Sequence, residues 1–202
     1  MSAKTEVARL LGEHGTTYAA AAGIKLTDKP APLFRLLVLS MLSSARISAD
    51  VAVSAARELF AAGWRTPEKM RDASWQQRVD ALGRGGYRRY DESTSTQLEN
   101  LSNHVLEEYD GDLRRARPTS RRGTDQLIEA IGSFPRIGPI GSRIFVREVQ
   151  VVWPEVAPFF DGRALATAKR LGLPQDPVEL AALAPRRRVA DLACALVREG
   201  VR

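Results

Sequence analysis

Ser133-Phe134-Pro135-Arg136-Ile137-Gly138-Pro139-Ile140-Gly141-Ser142 joins two segments with helical patterning. Ahead of it, Thr124 stands where it would cap a helix ending at Gly132 or Ser133. Behind it, Ile144, Phe145, Val146, Val149 and Val152 make a strongly apolar helix that Pro154 ends. A turn this short, with glycines before and at the start of a helix, exposes backbone N–H groups that have no helical partner. Those groups lie at the positive end of the helix dipole and suit a phosphate oxygen. Arg143 and Arg147, four residues apart, share a helix face and could extend such a contact. A plain interhelical turn accounts for the same residues, so the pattern alone leaves both readings open.

Upstream the chain reads as helices nearly throughout. Residues 33–42 (LFRLLVLSML) are apolar on almost every side, as in a short, centrally buried helix. Ser48 reads as the N-cap of a helix running to about Ala62, with Asp50 in its first turn and Gly63 stopping it. Pro67 opens a short helix, and Ser74 caps another ending near Gly83, where Gly83, Gly85 and Gly86 make a loop. Leu98, Leu101 and Val105 mark one face of a long helix from about Arg88 to Tyr109. The basic run Arg114, Arg115, Arg117, Arg121 and Arg122 around Pro118 reads as a solvated connector. Arg163 to Leu171 and Pro185 to Glu199 supply two more helices. No segment carries period-two alternation with hairpin chemistry, and Val149 to Trp153 continues the helical pattern. The predicted fold class is all-α, without internal repeats.

Composition narrows the function classes. The 202 residues suffice for one large domain or two small lobes. Apolar residues at 44% and charged residues at 27% exclude wholesale disorder. One cysteine, Cys194, excludes an intramolecular disulfide framework, a four-cysteine zinc site and a cysteine-held iron–sulfur cluster, and favours a reducing, cytoplasmic compartment. Uncharged stretches reach about ten residues, Leu36 to Ala45 being one, against roughly 18 for a membrane span. Met1 to Gly12 lacks the apolar core of a signal peptide, so a soluble protein without a membrane partner is expected. The net charge of +6 rests on 25 Arg against 5 Lys. That suits a polyanionic partner, because arginine makes forked contacts to phosphate. A GC-rich genome would produce the same excess, so the charge alone does not assign a function. His14 and His104 are isolated and read as surface or structural residues.

A second chemical signal follows the turn. Phe159-Phe160-Asp161-Gly162-Arg163 puts a carboxylate after an apolar loop and directly before a helix. Asp161 is in the first instance an N-cap. A capping carboxylate can also face a cavity, aimed there by the flanking aromatics.

Taken together these features resemble the helix–hairpin–helix DNA glycosylases of the endonuclease III superfamily. The match is a helix, a hairpin of the form Phe134-Pro135-x-Ile137-Gly138-x-x-Gly141, an apolar helix, then Pro158-Phe159-Phe160-Asp161-Gly162 and a helix with Arg163. Leu39 to Ser48 resembles the family's leucine–serine–alanine–glutamine–threonine-like segment, and Leu82-Gly83-Arg84-Gly85-Gly86-Tyr87-Arg88 its glycine–x–tyrosine turn. The resemblance covers roughly residues 30 to 175, in order.

The resemblance implies two helical lobes with a cleft between them. Residues 30–145 would form a six-helix barrel ending in the helix–hairpin–helix, and residues 1–29 with 146–202 the second lobe. Asp161 takes the position of the family's catalytic aspartate, which supports positive charge developing on the sugar and assists attack by water. Arg136, Ile137, Gly138, Pro139, Gly141, Ser142 and Arg143 take the place of the hairpin that holds the DNA backbone. Arg46 sits near the residue that members push into the duplex, or else makes a surface contact at a helix start. Tyr87, Tyr90, Phe159 and Phe160 are candidates for stacking on a flipped base. Each has a core reading beside it, and for Tyr87 that is a hydroxyl tying the glycine-rich loop to the barrel.

Departures shape the implied activity. The lysine that forms a Schiff base in bifunctional members is Ile140 here, which removes the usual β-lyase route. Lys169 lies in the following helix, out of the usual geometry. The first hairpin glycine is Arg136, although arginine resists left-handed dihedrals. The cysteine quartet of the iron–sulfur branch is absent, and Leu39 stands where the adenine-removing branch carries a glutamate.

The function this implies is a monofunctional DNA glycosylase of base excision repair, with duplex DNA carrying a damaged or modified base as partner. It is expected to act as a monomer and to need no metal or cofactor. The alternatives are a non-catalytic helix–hairpin–helix DNA-binding protein, or a bifunctional glycosylase and abasic-site lyase using a non-standard amine.

Overall fold

A computed structural model describes residues 2–185 and 187–201; the side chain of Arg121, from the basic connector, lies outside the described set. The described residues form helices and connecting turns, with no strand among them. In chain order the helices are α1 (Ala3–His14), α2 (Tyr18–Ala21), α3 (Pro30–Ser44), α4 (Ala49–Ala61), α5 (Pro67–Asp72) and α6 (Trp75–Arg84). They continue as α7 (Asp91–Tyr109), α8 (Thr124–Gly132), α9 (Gly138–Val149), α10 (Gly162–Arg170), α11 (Pro177–Ala182) and α12 (Val189–Gly200). The all-α class expected from the sequence is the one observed.

Local chemistry sets most helix starts. Ser48 Oγ accepts the N–H of Val51 to open α4. Ser74 opens α6 with a reciprocal capping box: its hydroxyl accepts from Gln77 N, and Gln77 Oε1 accepts from Ser74 N. Proline occupies the first turn of α3, α5 and α11, where its missing N–H is not needed.

Four boundaries differ from the sequence reading. α7 begins at Asp91 rather than near Arg88, because Tyr90 still holds non-helical dihedrals at the cap position. α8 takes Thr124 as its first helical residue, with Gly123 at the cap. α9 ends at Val149 instead of continuing through Trp153. Gln150 exchanges hydrogen bonds with the backbone of Phe159, and the Trp153 indole donates to Asp28 Oδ1 at 2.9 Å, so long-range partners draw the chain out of the helix. The stretch expected as one helix from Pro185 begins only at Val189. A separate helix before it, α11, is capped by Asp176, whose carboxylate accepts from Val178 N and Glu179 N.

α3 lies at the centre, with Leu33, Phe34, Leu36 to Leu39 and Leu42 all fully buried. It packs on α4 and α9; α4 packs on α6, and α5 and α6 pack on α7. α9 also packs on α8 and α12, and α12 on α1 and α10. α9 thus touches both groups, and position 145 falls inside it; α2 also meets α4. The α3–α9 crossing is close because Gly141 has no side chain. A Cβ there would come within 3.0 Å of Ile137 Cγ2 and 3.2 Å of the Ser40 carbonyl oxygen.

The basic connector is largely neutralised. Arg117 pairs with Asp28 and Glu155, both at 2.6 Å; Arg114 pairs with Asp112, and Arg115 with Asp110. Such pairing fits a structural connector better than a free polycationic surface.

Candidate functional site

Asp161 is both a helix cap and a cavity residue. Its Oδ1 accepts the N–H groups of Arg163 and Ala164, each at 3.0 Å, and so opens α10. Its Oδ2 accepts from Nη1 of Arg147. The residue is buried, yet it lines a cavity of about 730 Å³.

α9 supplies the partners. Arg143 stays exposed, with Nη1 donating to the Pro139 carbonyl at 3.1 Å. One turn on, Arg147 points inward and is buried. The face-sharing pair therefore does not act as one phosphate patch: Arg147 is drawn in by Asp161, and its guanidinium centre lies 5.4 Å from the centroid of the Tyr18 ring. Glu148, fully buried, accepts from Tyr18 N at 3.1 Å, Ala19 N at 3.0 Å and Cys194 Sγ at 3.0 Å. Burial first, and the Glu148 carboxylate second, push the Cys194 thiol well above its usual range, so it remains a protonated donor. Adjacent residues of α9 thereby fasten α10 on one side and α2 with α12 on the other.

Tyr18 completes the cavity wall with His14 and Arg198. The Arg198 guanidinium centre stands 4.1 Å from the Tyr18 ring centroid, and its Nη1 donates to the carbonyls of His14 and Thr16. Burial raises the Tyr18 hydroxyl above its ordinary value, which keeps it a neutral phenol.

The turn of residues 133–142 borders this cavity through Pro139, Ile140 and Arg143. Arg136 holds φ 61° and Gly138 φ 58°, so the left-handed conformation that the sequence made doubtful for an arginine is adopted. Ser44 Oγ donates to the Arg136 carbonyl at 2.9 Å and ties the turn to the end of α3. Among the described residues, no hydrogen bond engages the N–H groups of Gly138 and Ile140. Ile137, Gly141 and Ser142 are buried. Gly141 N donates to the Ile137 carbonyl, and the Ser142 hydroxyl to that of Pro139. These three residues build the turn and its packing, while Arg136, Gly138, Pro139 and Arg143 form its accessible side.

None of the expected base-stacking residues, Tyr87, Tyr90, Phe159 and Phe160, lines the Asp161 cavity. Tyr87 and Tyr90 line a second cavity of about 660 Å³, together with Arg46 and Arg136. Tyr87 is buried and its hydroxyl donates to the Leu42 carbonyl at 3.4 Å, the tying role read as its alternative. Phe160 is buried in the core and borders neither cavity. Pro139 and Ile140 border both, forming the ridge between them.

No protein-family model matches the chain, and none of the curated proteins does. Among solved structures, the chain is similar to one described as a trapped endonuclease III–DNA covalent intermediate, an estranged-adenine complex. The two are 18% identical, with 98% of this chain and 85% of that chain covered and a TM-score of 0.49.

Four residues of the cavity wall were missed or misread from sequence: His14, Tyr18, Arg147 and Arg198. No local motif marks them, because each acquires its role from partners distant in the chain. Metal-ligand chemistry occurs among the described residues at Glu13, His14 and Glu199, whose ligating atoms lie within 4.8 Å of one another. Arg9 already serves both carboxylates, at 2.8 Å from Glu13 and 3.3 Å from Glu199, so a guanidinium supplies the positive charge there.

Proposed function

We propose that the chain is a monofunctional DNA glycosylase that flips a damaged or modified base and hydrolyses its N-glycosidic bond with Asp161. The observation that carries this reading is that Asp161 and the accessible turn residues Pro139, Ile140 and Arg143 line one cavity, of about 730 Å³. That volume accommodates a nucleobase with its sugar. In this reading α3 to α8 with the first half of α9 form one lobe, the two ends of the chain form the other, and duplex DNA lies across the opening. Gly138 N, Ile140 N, Arg136 and Arg143 hold the backbone phosphates, and Arg46 approaches the duplex from the second cavity.

Bond cleavage loads positive charge onto the sugar, and a carboxylate held at the cavity wall stabilises that charge and orients the attacking water. Capping by two N–H groups and pairing with Arg147 fix the carboxylate in place, so little reorganisation is needed. Neither cavity is lined by a lysine. Lys169 lies near the far end of α10 from Asp161, about 12 Å along the helix axis. Both points support hydrolysis without strand cleavage, and borohydride should trap no covalent adduct with DNA.

One observation favours a second reading, a DNA-binding protein without chemistry. The Arg147 guanidinium cancels the charge of Asp161, and a neutral pair stabilises a cationic sugar less than a lone carboxylate does. Base release from a panel of lesion-bearing duplexes separates the two. Glycosylase activity predicts release by the wild type and a loss of about 100-fold or more in Asp161→Asn. Tight binding to abasic DNA without release from any substrate selects the second reading, and equal release by both proteins removes Asp161 from the chemistry.

A further inference from the structure

Among the described residues, the charges of the cavity wall away from its mouth do not balance. Arg147 is cancelled by Asp161. Arg198 has no carboxylate partner among the described residues; its Nη1 donates to two backbone carbonyls, and its plane is braced by the Tyr18 ring. Its Nε and Nη2 carry no hydrogen bond to the described residues. The remaining charged lining residues, Asp50, Arg143 and Arg163, are exposed and belong to the mouth. The cavity wall therefore offers an anchored guanidinium whose Nε and Nη2 and whose charge meet no partner among the described residues.

We infer that Arg198 is a specificity-determining residue that selects a neutral base presenting carbonyl oxygens and rejects cationic, N-alkylated bases. The inference rests on the glycosylase reading and names its substrate class. A guanidinium edge matches an acceptor edge in plane, as arginine does when it reads guanine through two acceptors. A base without a carbonyl offers only ring nitrogens as acceptors and pairs the fork less completely, which a polar site built for hydrogen bonding penalises. A cationic base meets like charge at the cavity wall. Tyr18 contributes as the brace that limits the guanidinium's freedom, so the donors are set before the base arrives.

Three lesion classes separate charge from hydrogen bonding. Uracil, 5-hydroxyuracil, hypoxanthine and 8-oxoguanine are neutral and carry carbonyls; 7-methylguanine carries a carbonyl but is cationic; 1,N6-ethenoadenine is neutral without a carbonyl. Single-turnover release from matched duplexes should favour at least one member of the first class over both others by roughly 100-fold. Arg198→Ala should collapse that ratio. Arg198→Lys, which keeps the charge but not the fork, should still reject 7-methylguanine while losing most of the carbonyl preference. A merely structural role would lower all rates together and leave the ratios unchanged. Release of 7-methylguanine or ethenoadenine at rates matching the first class overturns the inference and leaves the glycosylase reading standing. If no duplex releases base, that reading falls, and equilibrium binding of the same duplexes decides the inference. A carbonyl preference abolished in Arg198→Ala upholds it, and equal affinity across the three classes overturns it.

Discussion

Arg147 and Asp161 form an ion pair with side chains only 4% and 8% exposed, joining the middle of α9 to the first turn of α10. The pair is not fully satisfied, since Arg147 Nε is enclosed without a partner. Desolvation therefore offsets much of the attraction, and the pair matters more for where it holds the carboxylate than for net stability. Removing one partner is a different matter, because the other charge is stranded. Arg147→Met should cost about 3 kcal/mol in urea unfolding. Combined with Asp161→Asn, it should cost less than the sum of the single changes by about 1 kcal/mol or more. Additive costs would mean that the two groups do not interact.

Arg136 gives two effects of opposite sign. Its left-handed backbone costs about 1 kcal/mol relative to glycine. Arg136→Gly should raise the unfolding temperature while weakening binding to duplex DNA, with the slope of log affinity against log salt shallower by about 1. A simultaneous loss of stability would show that the side chain, rather than the backbone, governs the turn.

The two glycines of the turn should fail differently. At Gly141 an added methyl meets Ile137, Ser40 and Ser44 at 3.0 to 3.3 Å, so Gly141→Ala should destabilise by about 1–3 kcal/mol through the α3–α9 contact. At Gly138 nothing lies within 4 Å, so only the φ of 58° resists alanine. Gly138→Ala with Arg143→Ala should fold and should bind every duplex sequence more weakly in titrations at low salt. Unchanged affinity would remove the turn from the DNA interface.

Cys194 makes stability depend on alkaline pH. Its thiol titrates well above its ordinary value of 9.0 in the folded chain because of burial and then Glu148. Above pH 9 the unfolded chain loses this proton while the folded chain keeps it. The stabilisation is thus complete below pH 9 and declines as pH rises towards the folded value, by at most about 1.4 kcal/mol per pH unit. Urea unfolding between pH 8 and pH 10.5, compared with Cys194→Ala, isolates this slope; parallel curves would show that the thiol does not contribute.

Legibility in the sequence followed the range of the forces involved. The caps at Ser48, Ser74 and Asp161 were readable because a cap is a contact over two or three residues. The short turn before α9 was readable from its glycines and prolines. The end of α9 was not, because Gln150 and Trp153 answer to Phe159 and Asp28 rather than to their neighbours. α11, ahead of the stretch expected as one helix from Pro185, has a start signal of its own in Asp176-Pro177, which is local and therefore legible in the chain.

By itself the sequence determined an all-helical chain, a tight turn opening an apolar helix, and a capping aspartate some twenty residues further on. Those are matters of local spacing, and local spacing is what a sequence records. Tertiary structure alone decided that Arg147 turns inward while Arg143 stays out, that Tyr87 and Tyr90 border a different cavity from Asp161, and that Tyr18 and Arg198 furnish the wall facing it. The cause is packing: α9 touches both groups of helices, and Arg147 and Glu148 find their partners only once α2, α10 and α12 close around it. A buried charge goes where a counter-charge or a set of hydrogen bonds can compensate its lost hydration, and that compensation here comes from residues far away in the chain.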